Sequence, residues 1–369
     1  MKITALIPVY RVPKRAADIL GKLHAMTYAE KEIVVVVDGS TNADIESALE
    51  PYRQSITVHY NNEQLGKTES LNRVALKHVT DVFLILDNDI ELPDDPAYLD
   101  KVAANMNRYD LIEIPKEAIA NTFISRMMAM EFLSFAMLSF TMAKLAKKSP
   151  SMNGAACAIR ALLFRLLDGF RPVINEDMDF AVRAFQLHAS FGYPRELKVR
   201  NEAPDTVRDW IVQRKRWALN NILWVKENFL LILTHFFKTP ALFLSTVLFF
   251  LPFLASIVVF FMVRRTGLLF LLPLIFMMSQ HLYIFTGLFL WPSHLQLILG
   301  GGWLPVAVGL AIAALTFFVF SRILRFRFNA IDFVLYYFIY SPVWMMANVI
   351  MIIALLLGID IKTDWKITA

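Results

Sequence analysis

Two aspartates, Asp87 and Asp89, follow the apolar run Val82–Leu86 in the stretch Leu86-Asp87-Asn88-Asp89. Carboxylates at i and i+2, placed where a strand ends, can both reach one hard cation. Mg²⁺ or Mn²⁺ would bind such oxygens together with those of a diphosphate, and would act as a Lewis acid on the charge of a departing diphosphate. A second acidic pair, Glu176-Asp177, follows Asn175 and opens a helical pattern through Met178, Phe180, Ala181 and Ala184. Acids in a first helical turn suit the macrodipole, so capping explains them too; functionally, one carboxylate is a general base for an attacking hydroxyl. A further acid, Asp38, stands in Val36-Val37-Asp38-Gly39-Ser40, a strand running into a glycine turn. An acid there points into the crevice where α/β sheets bind ligands and can accept from a ribose hydroxyl or a base N–H; the plain alternative is an Asp-Gly turn. The fourth cluster is Gln213-Arg214-Lys215-Arg216-Trp217. A helix would put Gln213, Arg216 and Trp217 on one face, where amide and guanidinium hold a diphosphate and the indole stacks on a sugar. A juxtamembrane basic stretch with an aromatic anchor would look the same.

One rival motif needs weighing. Asn61–Thr68 reads NNEQLGKT and ends in Gly66-Lys67-Thr68. A phosphate-binding P-loop needs glycine where Asn61 stands, so that backbone amides can wrap the phosphates. Lys67 remains a phosphate-facing cation under either reading. A Rossmann oxidoreductase is disfavoured because no G-x-G-x-x-G follows the first strand.

These residues need a scaffold. Strand-length apolar runs recur at Ile3–Ile7, Ile33–Val37, Ile56–Tyr60 and Val82–Leu86, alternating with helical stretches at 13–25, 42–50 and 67–79. Continuous apolar strands alternating with helices predict a mostly parallel sheet covered on both faces. The rest of the 369-residue chain needs a different solvent. Hydrophobic residues make up 57% and charged ones 19%, against about 25% charged in ordinary globular domains. Thr239–Val263, Thr266–Ser321 and Phe333–Ile359 contain no Lys, Arg, Asp or Glu. A span needs about 20 apolar residues, so four transmembrane helices are expected near 240–263, 267–290, 303–320 and 332–357, with a short tail at 360–369. Two segments, 121–148 and 219–238, mix apolar side chains with a few charges. Both are expected as helices in the headgroup layer, a buried core helix being the alternative, equally weighted for 121–148. The N-terminal stretch is too short for a signal peptide, which places the first domain in the cytoplasm. Four spans would then put Arg264, Arg265, Arg322, Arg325 and Arg327 outside, against the positive-inside tendency, unless 291–320 is re-entrant or these arginines meet an anionic lipid. The lone Cys157 excludes a disulfide scaffold, and a net charge of +5 argues against nucleic acid as a partner.

Taken in order, Ile7-Pro8-Val9-Tyr10, Val37-Asp38-Gly39-Ser40, Gly66-Lys67 through Asn72, Asp87-Asn88-Asp89, Glu176-Asp177 and Gln213-Arg214-Lys215-Arg216-Trp217 resemble the family 2 glycosyltransferases with a GT-A fold. The last element is similar to the Q-x-x-R-W signature of cellulose, chitin and hyaluronan synthases and ceramide glucosyltransferases. The family often carries two acids before Gly-Ser; Val37 occupies the first place here. The resemblance implies a cytosolic GT-A domain over 1–218, an α/β Rossmann-like mixed sheet with helices on both faces, followed by an all-α transmembrane domain over 239–359 in the cell membrane. It implies Pro8, Tyr10, Asp38, Lys67, Asp87, Gln213, Arg216 and Trp217 at a nucleotide-sugar donor, most simply a UDP-sugar. Asp87 and Asp89 would hold Mg²⁺ or Mn²⁺, with Asp177 as base and Glu176 beside it, and Asn153, Gly154 and Trp217 at the acceptor. The implied activity is metal-dependent inverting transfer to a lipid or glycan acceptor at the membrane lipids. Its alternatives are a processive polysaccharide synthase and a non-catalytic nucleotide-binding transport partner.

Overall fold

The computed structural model describes residues 1–173, 175–238 and 303–357. Contacts divide the described residues into two compact units: Met1–Glu117 with Lys147–Glu202, and Ala118–Ala146 with those that follow Glu202.

In the first unit the four apolar runs form parallel strands β1 (Ile3–Val9), β2 (Lys31–Val37), β3 (Thr57–Tyr60) and β4 (Val82–Leu86). Ile33–Val37 and Val82–Leu86 are buried throughout, as strands covered on both faces must be. Between them run α1 (Ala16–Ala25), α2 (Ala43–Leu49) and α3 (Lys67–Ala75). The sheet continues beyond the parallel half. Its order is β3-β2-β1-β4, then β8 (Ala156–Arg160), β6 (Leu111–Glu113) and β9 (Phe191–Gly192), with β8 antiparallel to both β4 and β6. A second sheet joins β5 (Ile90–Glu91), β10 (Val199–Asn201) and β7 (Lys116–Ala118). Three more helices complete the unit: α4 (Tyr98–Met106), α6 (Ala161–Leu166) and α7 (Glu176–Gln186).

Register decides where the chemistry sits. Val9 pairs with Val37, and Leu6 with Ile85, so β1, β2 and β4 end at one edge. Antiparallel β8 begins at that edge, because Ala156 pairs with Leu86. The residues that follow the parallel strands, among them Asp38 and Asp87, and those that precede β8, Asn153 and Gly154, are thereby delivered to the same rim.

The second unit is helical. The segment expected as a headgroup helix at 121–148 is α5 (Phe123–Leu145), started by a capping box between Thr122 and Ser125. Met130 to Ser134 are buried in succession. Five consecutive residues cover more than a full turn, so α5 is buried on all sides at that level. The helix α8 (Val207–Lys238) is continuous, and the boundary expected at 218/219 falls inside it. Beyond it lie α9 (Trp303–Leu324), α10 (Ala330–Leu335), a π-helical turn at Tyr336–Tyr340, and α11 (Ser341–Leu356). Among the described residues, two helices are long and apolar enough to cross a membrane, Phe123–Leu145 and Ala330–Asn348. The segment 303–320 falls within α9, and 332–357 runs from α10 to one residue past α11; those at 240–263 and 267–290, and the tail at 360–369, lie outside the described residues.

Candidate active site

At the rim of the first unit three carboxylates, Asp87, Glu176 and Asp177, face the Lys67 ammonium, with Asp89 next to Asp87. Lys67, the first residue of α3, places Nζ 2.7 Å from Oδ1 of Asp87 and 3.6 Å from Oε1 of Glu176. The Lys67, Asp87 and Glu176 side chains keep 28%, 26% and 19% of their surface, so the cluster is recessed yet open to a ligand. Burial disfavours the charge on Lys67, but the fields of Asp87, Glu176 and Asp177 outweigh it and hold the amine above the ordinary lysine range. Burial raises Asp87, with repulsion from Asp89 and Asp177 adding to it against the opposing pull of Lys67. Glu176 is pushed up to about 7, first by burial and then by Asp177 and Asp87, again against Lys67. One lysine does not neutralise this cluster.

The Asp-Asn-Asp turn is braced from the loop after β1. Lys14 Nζ lies 3.3 Å from Oδ2 of Asp89, Asn88 Nδ2 donates to the Val12 carbonyl at 3.0 Å, and the Arg15 amide donates to the Asn88 carbonyl at 2.9 Å. Oδ1 of Asp89 is buried with no hydrogen-bond partner among the described residues. An orphaned carboxylate oxygen in a field of excess negative charge is what a hard divalent cation satisfies. No cluster of three or more His, Cys, Asp or Glu forms a metal site among the described residues. By its chemistry, the Asp87 and Asp89 carboxylate pair suits Mg²⁺ or Mn²⁺, with water and substrate oxygens completing the shell.

The Glu176-Asp177 pair opens α7, and Asp177 is tightly placed. Its Oδ2 accepts from the Gly154 amide at 2.7 Å and its Oδ1 from the Met178 amide at 2.8 Å. A Cβ on Gly154 would stand 2.7 Å from Cβ of Asp177, so only glycine permits the approach. Gly154, expected at the acceptor, thus meets Asp177, the expected base, and Asn153 accepts from the Ala155 amide through Oδ1 at 3.1 Å. The helix is anchored through Arg183, which is buried and donates to Asp179 at 2.7 Å and to the carbonyls of Leu167 and Gly169 at 2.6 and 3.0 Å. The same turn holds α3, because Asn72 donates to the Phe170 carbonyl at 2.6 Å and accepts from its amide at 3.0 Å. Lys67 and Glu176 meet because the helices that carry them are tied to one loop.

Asp38 has a structural task beside its expected one. Its two carboxylate oxygens accept the amides of Leu65 and Gly66 at 2.8 and 2.9 Å, so this buried acid fixes the turn from which Lys67 emerges. Gly66 takes φ +86° there, a conformation that side chains disfavour. Those two amides face a carboxylate, which removes the P-loop reading. Pro8 lies within β1, paired with Val36, and the exposed Tyr10 ring carries the Arg11 guanidinium 4.8 Å from its centroid.

Gln213, Arg216 and Trp217 belong to the second unit. All three are half-buried on α8, and the Gln213 amide oxygen Oε1 is buried with no hydrogen-bond partner among the described residues. The residue between them that composition did not single out, Arg214, is buried and ion-paired to Glu131.

The mixed sheet, with acids gathered at the carboxyl rim of its parallel half, defines an α/β domain of the GT-A type. A family profile described as "Glycosyl transferase family group 2" matches residues 82–359, about three quarters of the chain. The protein belongs to that family. The match includes Asp87, Asp89, Glu176, Asp177 and the 213–217 stretch. Among solved structures, the mannosyltransferase PcManGT from Pyrobaculum calidifontis, in complex with GDP-Man and Mn²⁺, aligns with a TM-score of 0.55 at 16% identity, covering 96% of this chain and 86% of that one. TarS 1-349 of S. aureus in complex with UDP-GlcNAc aligns with a TM-score of 0.42 at 16% identity over 61% of this chain and 67% of that one. A search of curated proteins found no match.

Proposed function

We propose that the protein is an inverting, membrane-embedded glycosyltransferase. It moves a sugar from a nucleoside-diphosphate sugar to a hydroxyl of a membrane-associated acceptor, and an α-linked donor gives a β-glycoside. The observation that carries this reading is the placement of Lys67 between Asp87 and Glu176, with Asp177 oriented next to Glu176 by the Gly154 amide.

The chain's own residues supply most of the reaction. Asp177 accepts the proton of the acceptor hydroxyl through a lone pair not used by the two amides. The hydroxyl oxygen bonds to the anomeric carbon as the bond from that carbon to the diphosphate oxygen breaks. The pair of electrons leaves on the diphosphate, and the Lys67 ammonium faces that charge from a fixed position, an arrangement that needs no reorganisation during transfer. Holding base and cation on separate elements of one rim suits a single in-line displacement. Mg²⁺ or Mn²⁺ bound to Asp87 and Asp89 would supply Lewis-acid neutralisation of the diphosphate. Tyr10 offers an exposed ring beside the Asp38-Gly39 turn for a base to stack on, and the family resemblance adds Gln213, Arg216 and Trp217 to the donor side.

Membrane embedding is supported by the uncharged windows of the sequence; the catalytic domain then lies on the cytoplasmic side. A lipid or short-glycan acceptor is the simplest fit to about four spans. The test uses full-length protein in lipid nanodiscs with a panel of labelled UDP- and GDP-sugars and lipid acceptors. A single glycolipid product is expected, lost in Asp177→Asn while nucleotide affinity persists. A polymer ladder would replace the acceptor reading with the processive one. Nucleotide-sugar binding without transfer or hydrolysis for any donor would make the protein non-catalytic.

A further inference from the structure

Lys116 on β7 is an unexplained expense in the first unit. It is 6% exposed, and a buried ammonium is costly unless its protons are used. Its Nζ donates to the carbonyl of Asn153 at 3.0 Å and to that of Ile114 at 3.1 Å, with Glu113 3.8 Å away. The Asn153 carbonyl and the Gly154 amide are two ends of one peptide group. That amide donates to Oδ2 of Asp177 at 2.7 Å.

A trans peptide points its C=O and N–H in opposite directions. Lys116 and Asp177 therefore lie at opposite edges of one peptide group, the cation against the negative end of its dipole and the anion against the positive end. An ammonium on the carbonyl draws electron density from the nitrogen and strengthens the N–H as a donor, as in any polarised hydrogen-bond chain. We propose that Lys116 is a positioning residue for glycosyl transfer, orienting and electrostatically supporting the base Asp177 through the Asn153–Gly154 peptide. The proposal rests on the assignment of Asp177 as base.

The arrangement has a reason. A lysine in direct contact with Asp177 would occupy the lone pairs that an acceptor hydroxyl needs. Routed through a peptide, the positive charge acts on one oxygen edge only and leaves the remaining lone pairs open. The charged groups that face Lys116 are Glu113, Asp177 and Asp87, together with the thiol of Cys157. Burial pulls Lys116 below the ordinary lysine range, and Glu113 acts in the opposite direction. On its other sides Asp177 meets the fields of Lys67, Glu176 and Asp87.

The test compares wild type, Lys116→Met, Lys116→Gln and Asp177→Asn as full-length protein in nanodiscs with Mn²⁺. Donor KM, kcat and the kcat–pH profile are measured, with nucleotide affinity and melting temperature as checks on folding. Lys116→Met keeps the length and removes the charge. It is expected to lower kcat by about tenfold to a hundredfold while donor KM moves less than about threefold, and to shift the acid limb of the profile upward by about half a unit or more. Lys116→Gln, which keeps a donor without the charge, should fall between. A kcat and an acid limb equal to wild type in Lys116→Met, with Asp177→Asn inactive, would overturn the coupling and leave the base assignment standing. Turnover surviving in Asp177→Asn would remove the base assignment and the coupling with it. Loss of fold in both Lys116 variants would make the residue a folding element and would equally overturn the coupling.

Discussion

The guanidinium of Arg214 meets the carboxylate of Glu131 in two parallel hydrogen bonds of 2.7 and 2.6 Å, and both side chains are almost completely buried. Glu131 sits in the middle of α5 and Arg214 in the first half of α8. The Tyr340 hydroxyl, on the π-helical turn, adds a third bond to Glu131 at 3.0 Å and accepts from Trp210 Nε1 at 2.9 Å. The guanidinium carbon lies 4.4 Å from the Trp217 ring centroid and 4.9 Å from that of Trp344. The second unit is thus pinned at one polar point among aromatic rings, and the 213–217 stretch is part of that pin.

Breaking one partner of this pair leaves the other charge buried and unmatched. Glu131→Gln or Arg214→Met alone is expected to cost about 3–5 kcal/mol. The double replacement Glu131→Leu with Arg214→Met removes both charges and should recover most of that loss. Thermal unfolding in a lipid-like detergent checks it. If the double variant melts lower than either single one, the network contributes more through its geometry than through charge compensation.

Gly154→Ala tests the close approach to Asp177. The new Cβ would be 2.7 Å from Cβ of Asp177, so either the loop before β8 or the start of α7 must shift. A misplacement of about 1 Å at the reacting centre costs on the order of a hundredfold in rate. A fall of that size in kcat, with nucleotide affinity retained, is expected from steady-state kinetics and calorimetry. Unchanged kcat would mean that the Gly154 amide is not what orients the base.

Much of this site was legible in the chain itself, for a physical reason. Parallel strands such as Val82–Leu86 are continuous apolar runs, and acids placed just after them can only fall at the rim. What escaped was whatever depends on pairing distant segments. Strands of two or three residues, such as Ile90–Glu91, Leu111–Glu113 and Phe191–Gly192, have no room for periodicity, so the far edge of the main sheet and the small second sheet had no local signal. Asp38 drew attention by type and position, but its partners at Leu65 and Gly66 are set by a loop elsewhere. Lys116 and Glu131 look like ordinary charges in apolar surroundings until the fold supplies Asn153 and Arg214. A buried charge in an apolar run is the one clue the sequence offered for Glu131.

Glu176 should make stability depend on pH in an unusual direction. Its folded value is pushed up to about 7 from the ordinary 4.5. Between those values the folded chain holds a proton that the unfolded chain has released, so stability falls as pH rises from about 4.5 to about 7, and the cost is complete above that. Glu176→Gln cannot ionise. In EDTA and without nucleotide, it is expected to melt above wild type at pH 8, by a difference worth about 1–3 kcal/mol, and to match it near pH 4.5. The same variant addresses the base. Glu176 is the carboxylate raised towards neutrality, which favours proton exchange at physiological pH. Should Glu176→Gln abolish transfer and Asp177→Asn spare it, the two roles exchange.

The orphaned Oδ1 of Asp89 makes the metal testable apart from turnover. Asp89 shares its other oxygen with Lys14 at 3.3 Å, an exposed pair that contributes little. Removing the carboxylate therefore acts mainly on whatever the free oxygen binds. Calorimetric titration of wild-type protein with a nucleoside diphosphate should show affinity that rises when Mn²⁺ replaces EDTA. In Asp89→Ala the Mn²⁺-dependent increment is expected to shrink by about tenfold or more, because one of only two anionic ligands is gone. The affinity measured in EDTA should stay level or improve slightly, since a negative charge facing the diphosphate has been removed. If the variant binds in Mn²⁺ as tightly as wild type, Asp89 is not a metal ligand, and the excess negative charge of the rim is balanced by donor contacts alone.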